Sequence, residues 1–132
     1  MSALLTVRDE SATGQLMRSF LLEFPWEVTT VREVLRARVE HEVSSFNAAQ
    51  GDAPFNGLVQ PTGAERVLNG FKLTTHRNID WHEQFERALL AFENNQFFML
   101  IDDRQVESLE EQVIVREATQ VSFVKLVPLV GG

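Results

Sequence analysis

Cysteine is absent from this chain of 132 residues. Its absence excludes a disulfide scaffold, a cysteine-ligated zinc site and any mechanism in which the chain supplies a thiol nucleophile. Lysine is nearly absent as well: of 12 basic residues, only Lys72 and Lys125 are lysines. Arginine does not replace them as an acyl acceptor, because its guanidinium stays protonated and non-nucleophilic at cellular pH. Positive charge is short overall, with 19 acidic residues giving a net charge of −7. That sign disfavours nucleic acid and anionic membranes as partners. No run of about eighteen apolar residues occurs, and no apolar stretch follows a basic start, so neither a membrane span nor a signal peptide is expected and a cytoplasmic location follows. Repeats and low-complexity segments are also missing.

What is present has the balance of one folded domain, with 44% hydrophobic and 23% charged residues. Residues 3–8 and 17–24 are short apolar runs joined by the polar, glycine-containing stretch 9–15, which reads as a β-hairpin. After Pro25 the period lengthens to that of a helix: Val31, Val34, Leu35, Val39, Val43 and Phe46 fall on one side, with Arg32, Arg36, Glu40 and Glu42 elsewhere. Thr30 and Glu33 have the spacing of a capping box at its start. Residues 51–63 read as an exposed loop, and 65–75 fit either a small hairpin around Asn69-Gly70 or a helical turn. A second helix is expected over residues 81–93, with Asp80 and Glu83 as its capping pair and Trp81, Phe85, Ala88, Leu89 and Phe92 on one face. Residues 97–101 and 104–106 read as strands around a turn at Asp102-Asp103. Ser108 to Glu111 then reads as one helical turn, followed by residues 113–115 and a turn at 117–119, with 121–127 as the last strand and 128–132 as a flexible tail.

Chemistry-bearing clusters are sparse. His41, His76 and His82 form no HxxxH pair and no ligand set, so no metal and no cofactor is expected. The pairs Asp102-Asp103 and Glu110-Glu111 fall at a turn and a cap and lack a neighbouring nucleophile, which reads as solvated surface rather than acid–base machinery. Trp81, Phe85 and Phe92 read as the packing face of the second helix. The chain itself is not expected to be an enzyme.

The order of hairpin, capped helix, strand, short strand, single turn and long last strand, followed by a tail ending in Gly131-Gly132, resembles the ubiquitin-like β-grasp family. It is also similar to the sulfur-carrier relatives of ubiquitin, the small subunit of molybdopterin synthase and the thiamine-pathway carrier. The resemblance implies one α+β domain spanning residues 1–132, a mixed sheet packed on one main helix. It also implies a helix-containing insertion over 47–96, between that helix and the third strand, and removing it leaves a chain of ubiquitin-like length. The implied function is a bacterial ubiquitin-like modifier. An activating enzyme would adenylate the Gly132 carboxylate with ATP and capture it as a thioester, after which a conjugating enzyme would pass it to target proteins and a deconjugating protease would reverse the transfer. Glycine lacks Cβ, so Gly131 and Gly132 let the backbone approach a narrow active-site channel, with Pro128, Leu129 and Val130 as the adjoining recognition segment. Lys72 and Lys125 would be the side-chain acceptors for self-conjugation. Two alternatives stand beside this: a sulfur carrier with a C-terminal thiocarboxylate, and a non-covalent interaction or self-assembly module, including a homo-oligomer.

Overall fold

A computed structural model describes residues 3–24, 28–49, 54–67, 70–73 and 77–126. In chain order they form β1 (Ala3–Ser11), β2 (Leu16–Phe24), β3 (Val28–Thr30), α1 (Val31–Ala48), β4 (Ala64–Val67), β5 (Gly70–Leu73), α2 (Trp81–Glu93), β6 (Phe97–Ile101), β7 (Arg104–Val106), β8 (Gln112–Ile114) and β9 (Gln120–Lys125). The architecture is α+β.

Alternation along the strands builds the main sheet. Leu5, Val7 and Asp9 of β1 are buried on one face, joined there by Leu22 and Phe24 of β2, Val121 and Phe123 of β9, and Phe97, Met99 and Ile101 of β6. β1 and β2 pair antiparallel from Ala3↔Phe24 to Asp9↔Arg18, with a bulge between Asp9 and Glu10. The expected hairpin is therefore present, but its strands run further into the polar stretch than local composition suggests. The reason is non-local: β1 continues to Ser11 because its other edge pairs in parallel with β9, from Thr6↔Gln120 to Ser11↔Lys125. β9 is antiparallel to β6, and β6 to β7, giving the mixed order β2-β1-β9-β6-β7. Asp102 and Asp103 make the tight β6–β7 turn in the left-handed region, at φ 49° and 67°, a conformation that Asp tolerates better than most residues.

α1 begins where the cap signature puts it. The Glu33 amide donates to Thr30 Oγ1 at 3.3 Å, while the Glu33 carboxylate turns to Arg36 at 3.6 Å instead of closing the box. Val31, Val34, Leu35, Val39 and Val43 are buried as the periodicity predicts. Glu42, expected away from that stripe, is buried within it together with Arg38. The two pair at i, i+4 and face Asp9, so charge compensation replaces apolar character there.

The segment between α1 and β6 is folded against the rest. β4 and β5 form a hairpin, which decides the ambiguous region in favour of strands, and Phe55 bridges to Phe71 through backbone bonds of 2.8 and 2.9 Å. α2 is capped by Asp80, whose Oδ1 accepts from the His82 amide at 3.0 Å. Its buried Ala88, Ala91 and Phe92 face the core, Phe92 meeting the Phe97 ring at a centroid distance of 6.1 Å. Half-buried Trp81 lies 5.3 Å beneath the Arg36 guanidinium of α1.

Two features depart from the sequence reading. β3 and β8 pair as a separate two-stranded ladder, Val28↔Ile114 to Thr30↔Gln112. Residues 108–111 form a turn rather than a helical one. The Leu109 and Glu111 carbonyls accept from the Arg32 and Val31 amides, both at 2.9 Å, so this turn satisfies donors that every helix start leaves unpaired.

Candidate functional site

Residues 128–132, which include Pro128, Leu129, Val130, Gly131 and Gly132, lie outside the described residues. The root of that segment is described. β9 sits between β1 and β6, ends at Lys125, and is followed by the exposed Leu126.

Beneath this root lies a network of buried charges that the sequence reading missed. Asp9 accepts from both terminal nitrogens of Arg38, Oδ2 from Nη2 at 2.9 Å, and from Arg18 Nε at 3.1 Å. Arg38 Nε donates to Glu42 Oε2 at 3.0 Å. The Arg38 guanidinium lies over the rings of Phe123 at 4.6 Å and Phe20 at 5.4 Å. Lys125 Nζ reaches Asp9 Oδ2 at 3.6 Å. A signal for the cluster does exist in the sequence: Asp9 takes the third inward position after Leu5 and Val7, and Arg38 interrupts the apolar stripe of α1.

The network also holds a loop by its backbone. Arg18 Nη2 donates to the Asn56 carbonyl at 2.8 Å and Lys125 Nζ to the Gly57 carbonyl at 3.4 Å, while the Leu58 amide donates to Glu42 Oε1 at 3.3 Å. Three consecutive residues of the α1–β4 connection are thus fastened to β2, β9 and α1. Burial alone would raise the Asp9 carboxyl, but Arg38, with Lys125 and Arg18, outweighs it and holds Asp9 below its ordinary value. Burial pushes Glu42 above its ordinary value despite Arg38, and pushes the Lys125 ammonium below its own despite Asp9. Arg38 is burdened by the same desolvation, yet Glu42 and Asp9 raise it further from neutrality. With Asp9 and Glu42 both engaged by Arg38, the chemistry of the cluster is that of a clamp.

The two lysines differ sharply. Lys125 is 16% exposed and engaged as described, whereas Lys72 lies on the exposed face of the β4–β5 hairpin opposite Glu65. His41 is exposed and stacks on Phe20 at 5.1 Å, and His82 stacks on Trp81 at 3.8 Å. His76 lies outside the described residues. Among the described residues no three His, Asp or Glu side chains gather as metal ligands. Asp102 Oδ1 accepts from the Gln120 amide at 2.9 Å, while Glu110 and Glu111 pair with Arg32 and Arg104, each at 2.5 Å. A groove of about 330 Å³ lies beside Arg32, Phe92, Glu93, Ser108 and Glu110. Among the described residues no helix is long and apolar enough to cross a membrane. No family model, no curated protein and no solved structure matches the chain.

Proposed function

We propose that the chain is a ubiquitin-like protein of the β-grasp type, a modifier whose Gly132 carboxylate is adenylated by a partner enzyme and transferred to target proteins. The observation that supports this reading most is the sheet. An N-terminal hairpin and a capped helix are followed by a last strand, β9, that inserts in parallel beside β1 at the middle of the order β2-β1-β9-β6-β7. A parallel neighbour demands a long crossover, here running through α1. Because β9 is hydrogen-bonded along both edges, a partner can draw on the residues that follow it without unravelling the sheet.

The chemistry needs nothing from the chain but its final carboxylate. That carboxylate attacks the α-phosphate of ATP with loss of pyrophosphate, and an enzyme thiolate then displaces AMP to form a thioester. A target amine displaces the thiolate and loses its proton, leaving an amide. The partners in this scheme are an activating enzyme, a conjugating enzyme, a deconjugating protease and the target.

The test is incubation of the native protein with candidate adenylating enzymes from its own organism and ATP, followed by non-reducing electrophoresis. A thiol-reducible adduct that requires ATP and disappears when Gly131 and Gly132 are deleted is the expected result. No ATP-dependent adduct, or full cellular function of the deleted form, overturns the reading. A thiocarboxylate in the intact mass of the native protein assigns sulfur delivery instead.

A further inference from the structure

Lys72 and Lys125 carry the only side-chain amines of this chain, and the fold treats them in opposite ways. Lys125 ends β9 at an inward position, continuing the buried series Val121 and Phe123. Ser11 of β1 flanks it on one side and Phe97 of β6 on the other. Its Nζ donates to the Gly57 carbonyl at 3.4 Å and lies 3.6 Å from Asp9 Oδ2. Gly57 is itself wedged, since even a Cβ there would meet the Phe55 ring. Lys72, in contrast, is exposed on the two-stranded β4–β5 hairpin, across the ladder from an equally exposed Glu65. Phe71, next in the strand, turns inward and is buried, so strand alternation holds the Lys72 side chain outward.

The two amines therefore meet an acyl donor differently. Attack on a carbonyl carbon needs the lone pair of a neutral amine and room around the nitrogen for a tetrahedral centre. Burial lowers the Lys125 ammonium below its ordinary value, which by itself would favour that residue as the nucleophile. Access decides against it. At 16% exposure, with its nitrogen held between Asp9 and the α1–β4 connection, Lys125 leaves too little room for the intermediate, and less still for a second folded chain. Acylation there would also strip a cation from the clamp and take from the buried Gly57 carbonyl the donor it has in Lys125, both costly changes. The remaining ten basic residues are arginines, whose guanidinium does not accept an acyl group.

Resting on the activation of Gly132 proposed above, we infer that Lys72 is the acyl-acceptor site of this chain and that its donor is the Gly132 thioester of a second copy. The Lys72 nitrogen, as the free amine, adds to the thioester carbonyl. An amide C–N bond forms, the C–S bond breaks with its electron pair going to the enzyme thiolate, and the amine proton passes to water. Lys125 remains a structural cation, so polymers made through lysine carry a single linkage, from the tail of one copy to the β4–β5 hairpin of the next.

The test begins without enzyme. The native protein is treated with limiting N-acetoxysuccinimide and mapped by mass spectrometry. Lys72 is acetylated roughly tenfold or more faster than Lys125, whose reaction waits for local opening, and the two react alike in urea. The second arm supplies ATP, a conjugating enzyme and an adenylating enzyme that forms the Gly132 thioester. Trypsin cuts after Lys125 of the donor copy, so the linkage is read as the remnant 126–132 attached to Lys72 within the tryptic peptide 67–77. Lys72→Arg abolishes that branch, and Lys125→Arg, which keeps the cation of the clamp, retains it. Equal acetylation of both lysines in the native protein, or branches at Lys125 or the amino terminus with none at Lys72, overturns the proposal. A thioester that gives no Lys72 branch overturns it alone, whereas absence of any ATP-dependent thioester overturns the activation reading together with it.

Discussion

Arg38 is a fully charged side chain with no exposure, and its place in the core depends on what surrounds it. Removing one partner of a buried ion cluster costs far more than the cluster contributes as a whole, because the remaining charges stay desolvated. Arg38→Met, which keeps most of the volume, is therefore expected to lose about 3–5 kcal/mol in urea unfolding. A loss no larger than that of an average surface substitution would contradict the burial. The two carboxylates respond to acid in opposite senses. Asp9 titrates below its ordinary 3.8 in the folded state, so its contribution is present above that value and fades as pH falls through it. Glu42 titrates above its ordinary 4.5, so the folded state takes up its proton first, and its contribution is present below 4.5 and lost as pH rises past the folded value. Comparison with Glu42→Gln isolates the second effect: the native protein gains stability relative to the variant on acidification from neutral pH to about 4.5. A difference between the two urea midpoints that does not change with pH would sink that assignment. Composition hid the cluster, because an Asp in a strand and an Arg–Glu pair in a helix read as solvated residues until the elements meet; only the inward register of Asp9 and the break in the α1 stripe at Arg38 pointed to it.

At the level of elements, the connection after α1 is held by its backbone atoms, so its conformation matters more than its side chains. Gly57 is the sensitive point. A Cβ there would collide with the Phe55 ring and lie 3.0 Å from Glu42 Oε1, and both side chains are buried. Gly57→Ala is expected to cost about 1–3 kcal/mol, the usual range for overpacking. Hydrogen exchange should locate the effect: the Leu58 amide, bonded to Glu42 in the native protein, should exchange much faster in the variant. Trypsin should also cut sooner after Lys125, whose ammonium loses the Gly57 carbonyl. Unchanged exchange and cleavage would show that the loop is not fastened as described. The elements that could be read in advance were those with a local cause. α1 and α2 carry caps at Thr30 and Asp80 and an apolar stripe of helical period. β3 and β8 were missed because three residues carry no period, and their pairing joins positions that are distant in sequence. The 64–73 hairpin stayed ambiguous for a related reason: its four apolar residues fit either period, and what decides for strands is the bridge from Phe55.

Over the whole molecule, the decisive property is that one hydrophobic core crosses every boundary suggested by the chain order. Phe55, Leu58, Phe71, Ile79, Ala88 and Phe92, all between α1 and β6, belong to the same buried cluster as Leu5, Val39, Met99 and Phe123. Asn47 ties the end of α1 to the start of α2, its side chain bonding both the amide and the carbonyl of Ile79 at 2.9 Å. With the charge clamp added at the loop, the segment between α1 and β6 has two independent fastenings to the sheet, one apolar and one ionic. A segment anchored in this way does not melt by itself, since its own helix and hairpin are too short to be stable alone. Calorimetry is therefore expected to give a single transition whose calorimetric and van't Hoff enthalpies agree. The most protected amides of α2 should exchange at the same free energy as those of β9, the limit set by global unfolding. Two resolved transitions, or α2 amides that open well before β9, would mean that the segment is an appended unit. Its surface would then be free to move relative to the root of the tail instead of being fixed beside it.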